Sequence, residues 1–440
     1  MQTPKLKIHF IGIGGIGVSA LAKYYIKKGH KVSGSDLVRS EITDALKKNG
    51  AKIIIGKNKI PKNADLIIYS PAVKIKNRKS KIPILSYPQA LGELTKRYFT
   101  IAVSGTHGKS TTTAMMALLL VKAGLDPTVI VGTKLKEFGD SNCRVGKSKY
   151  LLIEADEHFA SFLNYWPKII ALTNIEEDHL DYYKNIKNIL KTFKKYVSHL
   201  PEDGILVVNK DDKNILKIIN KRKQKTEYYS LKQTAAKKLK RVLKIPGEHN
   251  VYNALAALTV GRILKVPDKI SFKALSSYKG AWRRFETKQT VWNGKRITLI
   301  SDYGHHPTKV RVTLKAAREK YPKKKILCVY QPHQYQRTYY LFKDFVKVFR
   351  TAPVDQIIIA DIFDVAGREE KQIKKKVNSE KLVKAIKKKS VIYLPKEKIL
   401  NHLKENLGSG EVLIIMGAGD IYKLVDFFNL TEKKNRKKMN

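Results

Sequence analysis

The sequence predicts an α/β protein built as three domains, and three observations lead there. Apolar stretches of strand length alternate with amphipathic stretches of helical period along nearly the whole chain. Two of the junctions between them are rich in glycine, "GIGGIG" and "SGTHGKST". The alternation also restarts twice, at "YFTIAVSG" and around "GAWRRFE". Apolar strands separated by helices are the mark of parallel βαβ units, whose strands are covered on both faces. A chain of 440 residues has room for two to four domains with separate cores. An apolar fraction of 43% with 9% aromatics is that of an ordinary globular protein.

The elements follow in order. Residues 1–97 give strands at "KIHFIGIG", "KVSGSD", "AKIIIG" and "ADLIIYSPA", with a helix over Val18–Lys28. Residues 98–279 give strands at "YFTIAVSG", "YLLIEAD", "IIALTNI" and "GILVVNKDD". A short lysine-rich region, Lys232–Lys244, leads into "IPGEHNVYNALAALTVGRIL", a loop feeding a helix. Residues 280–440 give strands at "ITLISDYG", "KILCVYQ", "QIIIADI" and "EVLIIMGAG" with helices between them. No internal repeat of solenoid length is present.

The net charge of +49 invites a nucleic-acid-binding reading, because clustered Lys and Arg neutralise phosphates. Only 16 of the 87 basic residues are Arg, however, and the lysines are spread along the whole chain. Arg is the usual bidentate reader of phosphates and base edges. Lysine-rich solvated faces explain this pattern better, so no nucleic-acid partner is expected, and the tail "TEKKNRKKMN" reads as a frayed basic end. There is no run of about 18 apolar residues, so no membrane insertion is expected. The apolar start, Ile8–Ala22, is interrupted by glycines and lacks a cleavage pattern, unlike a signal peptide. With Cys143 and Cys328 alone there is no disulfide framework, and a cytoplasmic location fits. Nothing in the sequence sets an oligomeric state.

Gly12, Gly14 and Gly17 fit G-x-G-x-x-G between a strand and a helix, with Asp36 at the end of the next strand. Such glycines permit a tight turn and close approach of backbone to a pyrophosphate, and the acid is placed for a ribose hydroxyl. Alone, this loop would favour a nicotinamide oxidoreductase; a tight glycine turn without a ligand is the plainer alternative. The second loop has the Gly108-Lys109-Ser110 core of a P-loop. Its amides cradle phosphates, Lys109 reaches the terminal ones and Ser110 can ligate Mg2+. It departs from the usual pattern in having Val103 where the first glycine stands. A nicotinamide site does not need ATP, whereas an ATP-driven ligase acting on a diphosphate-linked substrate needs both loops.

The series "HFIGIGGIGVSALA", "SGSD", "SGTHGKSTTTAMM", "EADE", "TNIEEDHLDYY", "GEHNVYNALAAL", "RRF", "DYGHHPT", "QPHQYQRT" and "GAGDIYKL" resembles, in content and order, that of the Mur ligases, over almost the whole chain. The resemblance implies a Rossmann-like N-terminal domain (1–97) for a UDP-sugar, a central P-loop-type ATP-binding domain (98–279), and a Rossmann-like C-terminal domain (280–440) that closes and binds the amino acid. It implies cofactors ATP and Mg2+, and partners UDP-N-acetylmuramic acid and L-alanine, since the alanine-adding members are the most alike. A recycling ligase that adds a preformed tripeptide is the near alternative; a nicotinamide oxidoreductase or a basic P-loop nucleic-acid motor is a distant one.

The implied chemistry suits these residues. A free carboxylate is a poor electrophile, so ATP first converts it to an acyl phosphate, which an amine then attacks. Phosphoryl transfer is mainly positioning and charge neutralisation, and Mg2+ prefers oxygen ligands. By resemblance, Gly12, Gly14, Gly15, Gly17, Ser35, Asp36 and Ser70 hold the UDP-sugar. Gly105, Thr106, His107, Gly108, Lys109, Ser110 and Thr111 hold the ATP phosphates. Ser110 ligates one Mg2+, and Glu154 and His179 a second. Asn250 and Asn253 match an adenine-binding pair, though alone they would read as caps or surface amides. Arg284 matches an arginine that reaches the ATP phosphates, Asp302 is placed for the ribose, and Tyr303 and His305 line the same face. Arg337 matches an arginine near the amino acid. His306, His333 and Trp282 read as packing or loop residues.

Two departures stand out. Gln334 occupies a position where the family usually has Arg, which leads to the expectation that Gln334→Arg would lower the Michaelis constant for alanine. The segment between "EYYSL" and "IPGEHN" is shorter than usual, which puts outer strands of the central sheet in doubt.

Overall fold

The computed structural model of the protein describes residues 4–58, 60–61, 63–75, 81–219, 225–365 and 371–428; the basic tail lies outside them. Three sheets organise these residues. The first comprises β1 (Lys7–Ile11), β2 (Lys31–Asp36), β3 (Lys52–Ile55), β4 (Leu66–Tyr69) and β5 (Ile84–Ser86), all parallel in the order β3-β2-β1-β4-β5. The chain runs from β1 outward to β3 and then returns to β4 on the other side of β1. This reversal lies at the C-terminal ends of β1 and β4, the place where ligands of open α/β sheets generally bind.

The second sheet comprises β6 (Phe99–Ser104), β7 (Thr128–Leu135), β8 (Ser141–Arg144), β9 (Tyr150–Glu154), β10 (Ile169–Leu172), β11 (Ile205–Asn209) and β12 (Lys225–Tyr229). Their order is β12-β11-β10-β6-β9-β7-β8, with only the β7–β8 pair antiparallel. The reversal here places β6, which leads into the P-loop, between β9 and β10. The third sheet comprises β13 (Glu286–Trp292), β14 (Lys295–Asp302), β15 (Ile326–Tyr330), β16 (Gln356–Ile359), β17 (Val391–Tyr393) and β18 (Val412–Met416), in the order β13-β14-β18-β15-β16-β17. On β15, Ile326, Cys328 and Tyr330 enter one buried cluster with the helices Pro307–Lys320 and Phe342–Arg350, while Leu327 and Val329 enter another with the helix Lys396–Asn406. Alternate residues thus face two helical layers, which is why the strand reads as an unbroken apolar run.

The sequence reading omits β5, β7, β8, β12, β13 and β17: β7 carries an apolar run, "TVIV", β5 and β17 are only three residues long, and the others lack such a run. β8, "SNCR", pairs antiparallel with β7. β13, "ETKQTVW", is an antiparallel strand at one end of the third sheet and carries polar residues on its less buried positions. β12 forms the outer strand on the side where strands were in doubt, and the lysine-rich segment after it is a helix, Thr234–Val242, that buries Ala236 and Leu239.

The chain forms two compact units. Met1–Glu176, Lys187–Val242 and Tyr252–Ser277 make the first, which contains the first two sheets; Glu177–Ile186, Leu243–Val251 and Tyr278–Asn440 make the second. Within the first unit the helix Ile16–Lys27 lies on the β7–β8 hairpin, where Asn142 donates to Ser19 Oγ (2.9 Å) and accepts from Lys23 Nζ (2.8 Å). Two short segments of the expected central domain belong to the second unit instead. Glu177–Ile186 is tied there by His306, whose Nδ1 accepts from Thr308 N, leaving Nε2–H to donate to the Glu177 carbonyl (2.8 Å). His306 is therefore a tether as well as the N-cap of Pro307–Lys320.

Candidate active site

In the first loop Gly12 has φ +73°, and a Cβ there would lie 2.9 Å from Ser70 Cβ, so glycine is required by both conformation and space. Ser70 follows β4, and its amide donates to the Ile11 carbonyl (2.9 Å), bringing the ends of β1 and β4 together. The Gly12 and Ile13 amides donate to the Ser35 carbonyl. Gly15 is the N-cap of Ile16–Lys27, and a Cβ on Gly17 would press into the Tyr87 ring. Asp36 Oδ2 accepts from the Gly14 amide (2.8 Å) and Oδ1 from Val38 N (3.2 Å). The acid expected to hold a ribose thus also shapes the loop.

The second loop is clamped by the chain after β10. Thr106 N donates to the Asn174 carbonyl, His107 N to Asn174 Oδ1 (2.8 Å), and Thr173 Oγ1 to the His107 carbonyl (2.6 Å). His107 Nε2 lies 3.3 Å from Glu176 Oε2. Gly108, at φ 82°, caps the helix Lys109–Lys122. A Cβ on Gly108 would collide with Asn253 Oδ1, which accepts from Thr112 (3.1 Å). Asn253 therefore stands against the loop, and Thr111 is buried on the first turn beside it. The amides of that first turn have no intrahelical partners, which makes the helix start suited to phosphate.

Lys109 Nζ donates to the Gly105 carbonyl (2.7 Å) and to Glu157 Oε2 (2.6 Å), and lies 3.4 Å from Asp156. Burial works against both charges: it pulls the Lys109 ammonium down and pushes the Glu157 carboxyl up. On the lysine, Glu157, Asp156 and Glu154 together outweigh burial, and it ends above the ordinary lysine range. Ser110 Oγ donates to Glu154 Oε1 (2.8 Å), whose Oε2 accepts from Gly132 N (2.7 Å). A hydroxyl and a carboxylate side by side are hard oxygen donors suited to a divalent cation. Three carboxylates around one ammonium leave the loop short of positive charge for a polyphosphate, so the donor set fits Mg2+.

The other expected residues lie in the second unit. Asn250 is buried in the first turn of Glu248–Ile263, where its side-chain amide donates to the Pro246 carbonyl (2.6 Å). His179, with φ 53°, precedes the short helix Leu180–Tyr183, and its amide donates to Asp178 Oδ1 (2.8 Å). Asp302 is buried, and burial pushes its carboxyl up. Its oxygens accept from Phe285 N (2.9 Å), Gly304 N (2.8 Å) and Thr313 (3.3 Å). These bonds hold the turn that carries Arg283 and Arg284 in place. Tyr303 lies against both Arg283 and Arg284, each guanidinium 4.7 Å from its ring centre. Of the two, Arg283 is the buried one, donating to the Gly417 carbonyl. His305 Nδ1 lies 3.0 Å from the Tyr303 carbonyl and Nε2 lies 3.4 Å from Lys309 Nζ. Burial, with Lys309 and Arg337 nearby, holds His305 well below the usual histidine range. Arg337 is buried against Asp178 and Gln334.

Sequence reasoning passed over Glu157, Asn174, Asp178 and Arg283. Glu157 and Asp178 were in view inside "EADE" and "EEDH"; their burial is what marks them, and no local pattern encodes that.

The chain matches three family models: "Mur ligase family, catalytic domain" over residues 7–99, "Mur ligase middle domain" over 103–261, and "Mur ligase, glutamate ligase domain" over 283–419. It is 40% identical to the UDP-N-acetylmuramate–L-alanine ligase of Clostridium acetobutylicum, over 96% of this chain and 97% of that protein. It is 38% identical to the enzyme of the same name from Aquifex aeolicus, with the same coverage. Among solved structures it is similar to UDP-N-acetylmuramate-alanine ligase of Thermotoga maritima (TM-score 0.78, 26% identity, 98% of this chain and 100% of that one). It also shares its fold with a murein peptide ligase of Psychrobacter arcticus (TM-score 0.70, 22% identity, 97% and 98%).

Proposed function

The chain belongs to the Mur ligase family, and from this we infer its reaction: ATP-dependent, ADP-forming ligation of L-alanine to UDP-N-acetylmuramic acid in peptidoglycan synthesis. The observation that carries this is the match, at about 40% identity and over nearly the full length, to enzymes of that name. The nicotinamide and nucleic-acid-motor readings of the separate loops fall away with it. Among the described residues no helix is long and apolar enough to cross a membrane. A cytoplasmic location fits an ATP-consuming enzyme whose two cysteines are buried free thiols.

The division of labour proposed for the residues is as follows. The loop Gly12–Gly17, with Ser35, Asp36 and Ser70 around it, holds the UDP-sugar, because it opens at the strand reversal of the first sheet. Lys109 and the amides of residues 108–111 hold the ATP phosphates, and Asn253 and Asn250 serve the adenine end. By resemblance, Ser110 would hold one Mg2+ and Glu154 and His179 a second; each, when bound, would offset phosphate charge. The γ-phosphoryl group passes from ATP to the lactyl carboxylate, leaving ADP. The amine of alanine then attacks the acyl carbon, the C–O bond to phosphate breaks, and amide and phosphate result. Lys109 steadies the transferred group, and Arg284 matches, by resemblance, an arginine that serves the ATP phosphates. Arg337 meets the carboxylate of the incoming amino acid.

The test is incubation with UDP-N-acetylmuramate, ATP, Mg2+ and each amino acid, following phosphate release. L-Alanine is expected to support turnover best, and to outcompete a murein tripeptide. Absence of release with every amino acid would defeat the reading.

A further inference from the structure

The Arg337 side chain is 6% exposed, and its guanidinium is held on two edges. Nε and Nη2 both donate to Asp178 Oδ1, at 3.3 and 3.2 Å, and the Asp178 side chain is itself 3% exposed. Nη1 donates to Gln334 Oε1 at 2.8 Å and to the His333 carbonyl at 3.3 Å. Asp178 thus balances the charge of Arg337 and takes one edge of its fork, while Gln334, at the shortest distance, and His333 hold the other. Gln334 is in turn locked in place. Its φ of 73° is uncommon for a side-chain-bearing residue, its amide donates to the Phe363 carbonyl (3.0 Å), and its carbonyl accepts from Thr338 N (3.1 Å) and Thr338 Oγ1 (2.9 Å). Backbone held in that region persists where the surroundings impose it, commonly at functional sites. Arg337 and Gln334 line a small cleft that also takes in Asp178, His179, Asp181, Tyr340 and Leu341, so Arg337 is the cation there against two acids.

We propose that Gln334 is a positioning residue, whose amide oxygen orients the Arg337 guanidinium toward the carboxylate of the incoming amino acid. This rests on the reading of Arg337 given above. Position 334 must then present a neutral acceptor to Nη1. An arginine there would set a second cation against the first and remove the acceptor. The charge count from sequence alone, in which Gln334 is a lost cation, points the other way.

Steady-state kinetics of Gln334→Met, Gln334→Arg and Arg337→Lys, with alanine and ATP varied in turn, separate these ideas. Arg337→Lys is expected to raise the alanine KM about tenfold or more, as loss of a directed charge-assisted fork. Gln334→Met, similar in shape but without the acceptor, is expected to raise it about fivefold, equivalent to about 1 kcal/mol at ~1.4 kcal/mol per tenfold. Gln334→Arg is expected to raise it as well, and the ATP KM should stay put in both. A lower alanine KM in Gln334→Arg overturns the proposal, since the position would then contact the amino acid directly. Unchanged constants in both Gln334 variants, with Arg337→Lys impaired, overturn it while leaving Arg337 in its role. An unchanged constant in Arg337→Lys removes that role and the proposal with it. If Gln334→Met melts early, Gln334→Arg decides alone.

Discussion

Lys109 Nζ lies 2.6 Å from Glu157 Oε2, and the two side chains are only 11% and 3% exposed. The lysine that is to meet phosphate is therefore already engaged by an acid from the strand end beside it. This pairing keeps the ammonium charged and near the Gly105 carbonyl. A buried pair contributes little net stability, but removing one partner leaves the other uncompensated.

Lys109→Ala is expected to abolish phosphate release and to lower stability by about 3 kcal/mol, the low end for a broken buried pair because Glu157 can take up a proton. Titration calorimetry with the UDP-sugar should show binding retained, since the first loop belongs to a different sheet. Lys109→Ala/Glu157→Gln should regain much of the stability, seen in urea unfolding, and none of the activity. Loss of UDP-sugar binding in a folded Lys109→Ala protein would contradict the division of labour.

The first loop has its own probe. A Cβ on Gly14 would lie 2.9 Å from Asp36 Oδ2, the atom that accepts from the Gly14 amide. Gly14→Ala must displace that carboxylate. We expect roughly a tenfold rise in the KM for UDP-N-acetylmuramate, about 1.4 kcal/mol, with the ATP constant unaltered. An equal rise in both constants would mean that the loop does not serve the UDP-sugar alone.

Glu154 accepts a hydrogen bond from Ser110 and is expected to hold the second Mg2+. Glu154→Gln keeps the shape and removes the charge. The Mg2+ concentration giving half-maximal phosphate release should rise about tenfold or more, in the range seen when a metal's supporting groups are altered. An unchanged Mg2+ curve would place the metal elsewhere.

Asp178 carries a prediction about acid. Burial alone would raise its carboxyl, but His179, Arg337, His306 and Lys309 more than offset that and hold it well below the usual carboxylate range. A carboxylate depressed on folding stabilises the protein above its unfolded value and loses that contribution as pH falls through the folded one. Asp178→Asn should therefore cost about 3–5 kcal/mol at pH 7, leaving Arg337 buried without its counter-charge. Its deficit against the wild type should shrink only below about pH 4, near the unfolded value. Urea midpoints measured from pH 7 to pH 3 check this; a gap that narrows already near pH 6 would assign the acid sensitivity to histidine.

Much of the architecture is legible locally. β15 and β18 are all-apolar strands because both faces are covered, and that needs no knowledge of partners to recognise. Gly12 and Gly108 declare turns because only glycine takes their φ values without strain. Lys109 and Ser110 follow from the loop they sit in. β8 and β13 escaped because an antiparallel strand beside a covered neighbour needs no apolar run of its own.

What the sequence by itself determined is the set of local devices: strand and helix periods, the two glycine loops, and the residue types gathered at strand ends. Each depends on the backbone within a few positions. The tertiary structure alone decided which of those residues are buried and against what. Asp178 and Arg337 stand 159 positions apart, and Asn253 reaches Thr112 across 141. Only folding could turn Glu157 from one acid among four residues into the buried partner of Lys109. That pairing spans 48 positions. The physical reason is that burial, and with it the strength and sign of an electrostatic contact, belongs to the surroundings a residue is packed into. Those surroundings come from distant chain, so residue type and local spacing leave them open.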